Sequence, residues 1–285
     1  MFKPLTRRLW LVSLSLLISS TAWAKPSIEL SGKLVPGSAV LLQVIDAPPG
    51  SRFQGSLAGK SFPMTSQGQA LVALDMETKP GKHWLAVTLT DPNGQQQHLG
   101  RPIVAYKRDY KTERINGLPK KKVELNPKDL TRAGKESRAI KATYKLRGGV
   151  TGYTGQFAMP THGRFSGVFG SRRILNGKSR RPHNGVDIAA PTGTPIHAIA
   201  PAEVVLTGKD YFFTGNTVVL HHGHGVISLY AHMDSIAVEK GQMVAQGTPI
   251  GTIGMTGRVT GPHLHWGTLV RGKRVDPLML PGIRK

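Results

Sequence analysis

Two histidines lie two residues apart near the C-terminus, in the stretch GPHLHWGT (residues 261–268), at His263 and His265. Side chains alternate between the two faces of a strand, so both imidazoles would point to one side and Leu264 to the other. Imidazole binds metals through a ring nitrogen, and it also exchanges protons near neutral pH. The pair is therefore either a metal ligand with a helper or two polar residues on one face, and this stretch alone does not decide between them.

A second group stands in RPHNGVDIAAP (residues 181–191), where His183 precedes Asp187 by four residues with Gly185 between them. The proline and glycine favour a loop that leads into a strand, and the glycine lets the backbone fold so that imidazole and carboxylate converge. Histidine and aspartate both bind zinc. With His265 as a third ligand they would form a set of two histidines and one carboxylate, leaving one position for water.

A further histidine, His232, follows a strand-like run in LYAHM (residues 229–233). Hydrolysis at a zinc site with three protein ligands needs other groups to position or deprotonate the water and to stabilise the oxyanion. His232 and His263 are the two candidates. The sequence contains no HExxH motif, which excludes the helical zincin arrangement. It also contains no cysteine, so neither thiolate chemistry nor a disulfide framework is available.

These motifs, in this order and with the glycine-rich stretches between them, resemble the lysostaphin-type zinc endopeptidases of bacterial cell walls. The resemblance extends nearly continuously over residues 157–277. The preceding part resembles exported, two-domain Gram-negative members of the family. That similarity is carried by ALVALDMETKPGKHWLAV (residues 70–87) and INGLPKKKVELNPKDL (residues 115–130).

The resemblance implies a role for each residue of the three motifs. His183, Asp187 and His265 would bind one Zn²⁺ per chain, and His232 and His263 would be catalytic histidines. The implied reaction is hydrolysis of peptide cross-links in peptidoglycan by a zinc-activated water, so the chain would be a zinc metalloendopeptidase. The implied fold is an open antiparallel β-sheet groove.

The sequence departs from the family pattern at one position. Members often carry an acidic residue after the aromatic that follows HxH, whereas here Gly267 follows Trp266. Because that residue is not a ligand, the departure concerns the surroundings of the site rather than metal binding. An alternative function stays open, in which the chain is a non-hydrolytic module that binds peptidoglycan or regulates a hydrolase.

The N-terminus has the three parts of a secretory signal peptide over residues 1–24. Lys3, Arg7 and Arg8 begin it, an apolar run follows, and small residues end at Ala24. We expect cleavage after Ala24 and a periplasmic or secreted protein. The apolar run is short for a membrane span, so an uncleaved anchor is the less favoured alternative. No later segment predicts an integral membrane helix.

The rest of the chain divides into three parts. Residues 25–108 predict an N-terminal β-sandwich-like domain, residues 109–149 a basic, partly helical connector, and residues 150–285 the zinc metallopeptidase domain. The whole is expected to be mainly β, because short apolar or alternating runs are separated by glycine and proline turns. In the first part, such runs predict strands at residues 39–44, 69–76 and 83–90.

The connector contains one predicted helix. Asn126 is a suitable N-cap, Pro127 suits the first helical position, and Asp129 places a carboxylate in the first turn. Gly148 is expected to end the helix. Spacings of three and four residues predict one packing stripe made of Leu130, Ala133, Ser137, Ile140 and Tyr144.

The formal net charge of +22 favours an anionic partner, and residues 111–148 carry twelve basic against four acidic residues. Export and the lack of interleaved aromatics argue against nucleic acid, so peptidoglycan stem peptides are the expected partner. Arg181 and Asn216 are weak candidates for contacts with the substrate. A basic tether also predicts intramolecular inhibition, in which the N-terminal region covers the groove. Residues 150–285 alone would then cleave faster than the whole mature chain.

Overall fold

The computed structural model describes residues 24–116, 125–148 and 156–284, and these residues are mainly β. The predicted signal peptide lies outside the described residues except for Ala24. Among the described residues, no helix has the length and apolar character needed to cross a membrane. The first seven strands are β1 (Ser27–Leu30), β2 (Ala39–Ile45), β3 (Arg52–Leu57), β4 (Lys60–Pro63), β5 (Gln69–Ala73), β6 (Gly81–Thr90) and β7 (Gln96–Ala105).

These seven strands form two antiparallel sheets, in the orders β1-β2-β5 and β4-β3-β6-β7. Inward and outward side chains alternate along β6, where Leu85, Val87 and Leu89 are buried. They share a core with Leu42 and Val72 of the other sheet. The two sheets thus enclose one apolar layer, which confirms the predicted sandwich-like arrangement. The three strands predicted from sequence correspond to β2, β5 and β6.

The C-terminal part is built on a single ten-stranded sheet whose pairs are all antiparallel, as predicted. The strands are β9 (Arg164–Gly167), β12 (Gly185–Ala189), β13 (Pro195–His197), β14 (Ala202–Tyr211), β15 (Gly215–His221), β16 (Val226–Ile236), β17 (Met243–Val244), β18 (Pro249–Ile253), β19 (Leu264–Val270) and β20 (Lys273–Val275). Their main order in the sheet is β17-β14-β15-β16-β19-β12-β9, with β18 joined to β13 and β16, and β20 joined to β19. A short 3₁₀-helix, Pro277–Met279, follows the last strand.

A third sheet joins the connector to the C-terminal part. It contains β8 (Thr112–Ile115), β10 (Arg172–Leu175) and β11 (Lys178–Ser179). β8 pairs with β10 in parallel, which the sequence patterns did not indicate. The backbone N–H of Arg172 donates to the Lys111 carbonyl at 2.8 Å. The connector therefore supplies a strand as well as a helix.

The predicted helix is present as α1 (Pro127–Thr143), and the Asn126 side chain accepts a hydrogen bond from the N–H of Asp129 at 2.8 Å. Ala133 and Ile140 are buried, as the stripe predicted. Leu130 is 61% exposed, so the stripe was wrong there.

Polar contacts hold the first half and the middle of α1. The Glu136 carboxylate accepts from the N–H of Phe212 at 2.7 Å, and Arg132 pairs with Asp210 at 2.9 Å. Apolar packing on β14 and β15 stabilises the second half, where Ile140 contacts a cluster that includes Leu206. α1 also ends at Thr143, five residues before the expected Gly148.

The N-terminal sandwich packs directly on the β19–β20 hairpin. Arg274 donates to Asp75 at 2.6 Å, and the Lys273 ammonium donates to the Ala73 carbonyl at 2.9 Å. Burial would raise the pKa of Asp75, but the hydrogen bonds from Arg274 outweigh it and hold this pKa below its usual range. Met76 and Ala73 belong to the same buried cluster as the ten-stranded sheet. The two parts therefore share apolar packing as well as ion pairs.

A buried hydrogen-bond chain lies beneath the ten-stranded sheet. His222 Nε2 is 2.8 Å from Ser228 Oγ, which in turn donates to the Tyr230 hydroxyl at 3.0 Å. His222 Nδ1 is 3.0 Å from the Pro201 carbonyl. Burial lowers the pKa of His222 to about 4, so this imidazole stays neutral in the folded protein at pH values where the unfolded chain is protonated.

This shift predicts the pH dependence of stability. Between pH 6.5 and 4 the unfolded chain binds a proton at His222 and the folded chain does not, so stability falls as pH falls. The loss from this one group is about 3 kcal/mol. The free energy of unfolding from urea titrations in chelator should fall less steeply in His222→Gln, which keeps hydrogen-bonding atoms without this titration.

His98→Gln is the matched control, because His98 is exposed on β7. This variant should follow the wild-type curve. If His222→Gln also follows the wild-type curve, the buried imidazole does not carry the predicted proton linkage.

Candidate metal centre

Two neighbouring strands place Asp187 and His265 opposite each other. In the antiparallel pair β12–β19, Asp187 is the direct partner of His265, so their side chains project from the same face. His183 reaches them from the loop before β12, as the glycine-containing spacing predicted. A Cβ on Gly185 would lie 2.4 Å from the Trp266 carbonyl oxygen, so only glycine allows this loop to approach β19 so closely.

The three side chains bring one atom each to a common point. His183 Nε2 is 2.9 Å from His265 Nδ1 and 3.0 Å from Asp187 Oδ1, and His265 Nδ1 is 2.9 Å from the same oxygen. His183 and Asp187 are buried, and the His265 side chain is 13% exposed. Among the residues that the structure describes, this is the one group of three or more such side chains arranged to hold a metal ion.

The donor set fits zinc. Tetrahedral zinc with bonds of about 2.0–2.2 Å needs ligand atoms roughly 3.3–3.6 Å apart, slightly more than the distances within this triangle. His183 Nδ1 lies 3.0 Å from the Val168 carbonyl, to which it donates. That hydrogen bond keeps one ring proton on Nδ1, so Nε2, which donates to Asp187 when no ion is bound, would be the nitrogen that releases its proton to bind a metal. A small outward movement of the three side chains would accommodate the ion.

The electrostatics of the site keep its carboxylate ionised. Burial would raise the pKa of Asp187, but hydrogen bonds from His183 and His265 outweigh burial and hold it well below its usual range. A buried anion between two imidazoles attracts a cation, which would replace the protons as the partner of all three side chains.

The other two predicted histidines lie beside this triangle. The rings of His232 and His263 are 4.8 Å apart, and His263 Nε2 is 4.0 Å from Asp187 Oδ1. His263 Nδ1 donates to the Gly261 carbonyl at 2.8 Å. Leu264 is fully buried on the opposite side. The alternation expected for HLH is therefore present: Leu264 points to one side, and the imidazoles of His263 and His265 lie on the other.

His232 has a backbone conformation that the sequence did not reveal. Its φ is +64°, which is unusual for a residue other than glycine, and it lies where the pairing of β16 with β15 changes register. Its N–H donates to the Thr214 carbonyl at 2.8 Å, and its Nδ1 donates to the Thr256 carbonyl at 2.9 Å. This local irregularity turns the imidazole toward His263 instead of along the strand.

Burial, together with the nearby His265 and His263, lowers the pKa of His232 to about 3. The imidazole is therefore neutral near pH 7. With Nδ1–H donated to Thr256, its Nε2 carries the lone pair and can accept a hydrogen bond or a proton.

The five residues open on a cavity of about 410 Å³. Arg181, a candidate for contact with the substrate, lines this cavity together with Arg180 and Arg258. Asn216 is not among the residues that line this cavity. Its side chain accepts a hydrogen bond from the N–H of Asp210 and donates one to the Asp234 carbonyl, so it links neighbouring strands. Sequence reasoning missed several other wall residues, because no motif marks them; they include Glu113, Phe213, Thr214 and Arg258.

Three further histidines lie close together in the stretch LHHGHG (residues 220–225), at His221, His222 and His224. His221 and His222 are buried, and His222 uses both ring nitrogens in the hydrogen-bond chain beneath the sheet. His224 sits in the following turn with a φ of +50°. Their ring nitrogens do not converge with a third ligand in the part of the chain that the structure covers.

Comparison with known proteins identifies the family. Residues 181–277 match the profile of Peptidase family M23. A solved structure described as a putative peptidase M23 from Pseudomonas aeruginosa superimposes with a TM-score of 0.66 at 30% sequence identity. The superposition covers 88% of this chain and 96% of that one. This chain belongs to the M23 peptidase family.

Two named relatives each match 40% of this chain. Peptidoglycan DD-endopeptidase ShyA of Vibrio cholerae is 44% identical over 116 residues, which are 40% of this chain and 27% of the relative. DD-carboxypeptidase/endopeptidase Mpg of Neisseria meningitidis is 40% identical over 115 residues, which are 40% of this chain and 26% of the relative. The chain thus spans about a quarter of the length of these M23 relatives.

The triangle predicts which variants lose metal. His183→Ala, Asp187→Ala and His265→Ala each leave two protein ligands, so zinc should be lost or bound far more weakly. Elemental analysis after mild dialysis should find about one zinc per chain in the wild type and much less in these three.

His232→Ala and His263→Ala are the matched controls, since they remove neighbouring imidazoles and leave the triangle intact. Both should keep about one zinc per chain. Zinc loss in His263→Ala combined with retention in His265→Ala would reverse the assignment of the HxH pair. Retention of zinc in both His263→Ala and His265→Ala would place the third ligand elsewhere.

Proposed function

We propose that this protein is an exported, zinc-dependent endopeptidase that hydrolyses peptide cross-links in peptidoglycan. The observation that carries the proposal is the convergence of His183, Asp187 and His265 within 3.0 Å of one another, beside two further histidines on one cavity wall. Membership of a peptidase family supports the reaction class. Similarity to ShyA, which is named a peptidoglycan DD-endopeptidase, supports the substrate.

In this proposal the triangle is the metal site. His183, Asp187 and His265 hold one Zn²⁺, which when bound supplies a Lewis acid that polarises a peptide carbonyl and makes water more acidic. The Asp187 carboxylate offsets part of the charge of the ion. The Val168 carbonyl fixes the tautomer of His183 so that Nε2 faces the ion.

His232 and His263 move protons and stabilise charge. Each donates its Nδ1–H to a backbone carbonyl, of Thr256 and Gly261 respectively, so each ring has a fixed orientation and directs Nε2 toward the cavity. One imidazole takes the proton of the attacking water, and the other, when protonated, donates to the oxyanion and then to the leaving amine. Held orientation is what makes such groups effective, because little reorganisation is needed during the reaction.

The charge of the chain agrees with this substrate and location. The formal net charge is +22, and Arg180 and Arg181 border the cavity. Stem peptides of peptidoglycan carry carboxylates, so a basic surface favours their approach. The signal-like N-terminus supports a periplasmic or secreted protein.

Digestion of purified sacculi tests the proposal. Zinc-loaded protein should convert cross-linked muropeptides into monomers, and mass analysis of the products identifies the bond. His232→Ala and His263→Ala should each lower the rate by about 10²–10⁴-fold, the usual contribution of a general acid or base, while keeping zinc.

Sacculi that are bound but not cleaved, under conditions where a control hydrolase cleaves them, would instead support a non-hydrolytic binding or regulatory module. Equal binding by the His232→Ala, His263→Ala double variant would strengthen that alternative, because such binding does not need the two imidazoles.

We also propose that the N-terminal region restrains the site through β8. The pairing of β8 with β10 places Glu113 on the cavity wall, next to the first ligand loop. Removing the whole N-terminal region would also expose core residues, since Ala39 and Leu71 belong to the cluster beneath the ten-stranded sheet. A substitution within β8 is therefore a cleaner test than residues 150–285 alone.

Glu113→Pro removes a backbone N–H from β8 and disfavours the strand, whereas Glu113→Gln removes only the charge. If β8 restrains the site, Glu113→Pro should cleave sacculi several-fold faster than the wild type at equal zinc content. An unchanged or slower rate in both variants, with the fold intact, would contradict inhibition by this segment.

A further inference from the structure

The loop of residues 254–263, between β18 and β19, packs on the turn between β14 and β15 with almost no side chain between the two backbones. A Cβ on Gly257 would lie 2.5 Å from the Gly215 nitrogen, and Gly257 has a φ of +77°. Gly215 is equally close to Thr256. Two glycines thus allow the two segments to contact each other directly, which fixes the loop relative to the sheet.

Arg258 lies on this fixed loop and makes two contacts with Phe213. Its N–H donates to the Phe213 carbonyl at 3.1 Å, and its guanidinium carbon lies 4.4 Å from the centre of the Phe213 ring. A guanidinium held against an aromatic face has a defined plane, which suits it to the recognition of a planar anion. Both residues line the cavity that contains the metal triangle.

The position of Arg258 is also coupled to the proposed catalytic residues. Thr256, two residues earlier, supplies the carbonyl that orients His232, and Phe213 is followed by Thr214, which accepts the N–H of His232. The same two segments therefore set the places of His232 and Arg258. A substrate group bound at Arg258 would therefore lie at a fixed distance from the peptide bond that is cleaved.

The charges on the cavity wall indicate the kind of group. Arg180, Arg181 and Arg258 contribute three guanidinium groups, against the carboxylates of Glu113 and Asp187. Asp187 is already engaged by two imidazoles. A guanidinium fork matches the two oxygens of a carboxylate and binds it by paired hydrogen bonds.

We propose that Arg258 is a specificity-determining residue that binds a carboxylate of the peptide substrate next to the scissile bond. This inference rests on the proposed function and deepens it. The protein selects acidic stem peptides over the same peptides with amidated carboxylates. Because a bidentate pair needs both the charge and the planar fork, lysine replaces Arg258 only in part.

The test uses two dimeric stem peptides, one with its carboxylates free and one with them amidated, and the zinc-loaded full chain. The wild type should prefer the acidic peptide by about 10–100-fold in kcat/KM, the span expected for a charge-assisted hydrogen bond, mainly through KM. Arg258→Gln should reduce this preference to below about three-fold, and Arg258→Lys should fall between the two. Arg101→Gln is the matched control for net charge, because Arg101 is exposed on the distant strand β7.

An equal loss of kcat/KM for both peptides in Arg258→Gln, or an unchanged preference, would overturn the inference and leave Arg258 as a support of the loop. If the wild type cleaves both peptides equally well, the carboxylate site at Arg258 is also contradicted, whereas the proposed endopeptidase function stands. Calorimetry with the acidic monomeric stem peptide, which has no cross-link to cleave, separates the two claims. Binding that Arg258→Gln weakens about tenfold or more, in a protein that cleaves neither dimer, would support the carboxylate site and contradict the endopeptidase.

Discussion

The register of β12 against β19 is the constraint on which the site depends. Pairing of Asp187 with His265 sets a carboxylate and an imidazole side by side on one face of the sheet. A shift of one residue would turn one of the two side chains to the opposite face and remove the cluster. The same register pairs Gly185 with Gly267, where the loop carrying His183 approaches most closely. A Cβ on Gly267 would lie 3.3 Å from the Asn184 carbonyl oxygen, so Gly267 belongs to the same crowded crossing.

Burial gives the cluster its chemical character. Three converging polar side chains in a closed environment are stable only when each has a partner, and here Asp187 is the shared partner of the two imidazoles. A metal ion would take over that role with stronger bonds and without leaving a buried polar atom unpaired. The cavity lies on one side of the cluster, so a ligand can approach from that direction while the sheet closes the other.

The motifs predicted the convergence of His183, Asp187 and His265 beside two further histidines because the information is local: HxH in a strand and glycine within HxxxD each determine where a side chain points. The positive φ of His232 was not predictable, since it results from the carbonyls of Thr214 and Thr256 and a register shift between strands. No sequence pattern indicated a role for Arg258 either, because that role depends on its contact with Phe213, 45 positions earlier in the chain. The N-cap and the spacing of apolar residues predicted helix α1, yet Leu130 is exposed because the nearby contact is a polar one, between Arg132 and Asp210.

Anomalous diffraction at the zinc absorption edge, from crystals of the zinc-loaded protein, tests the central claim most directly. The account predicts one strong peak on the cavity side of the sheet, about 2.0–2.2 Å from His183 Nε2, His265 Nδ1 and an Asp187 carboxylate oxygen. His232 and His263 should lie outside bonding distance of that peak. A peak bonded to His263 in place of His265, or one located at His221, His222 and His224 with none at the triangle, would contradict it.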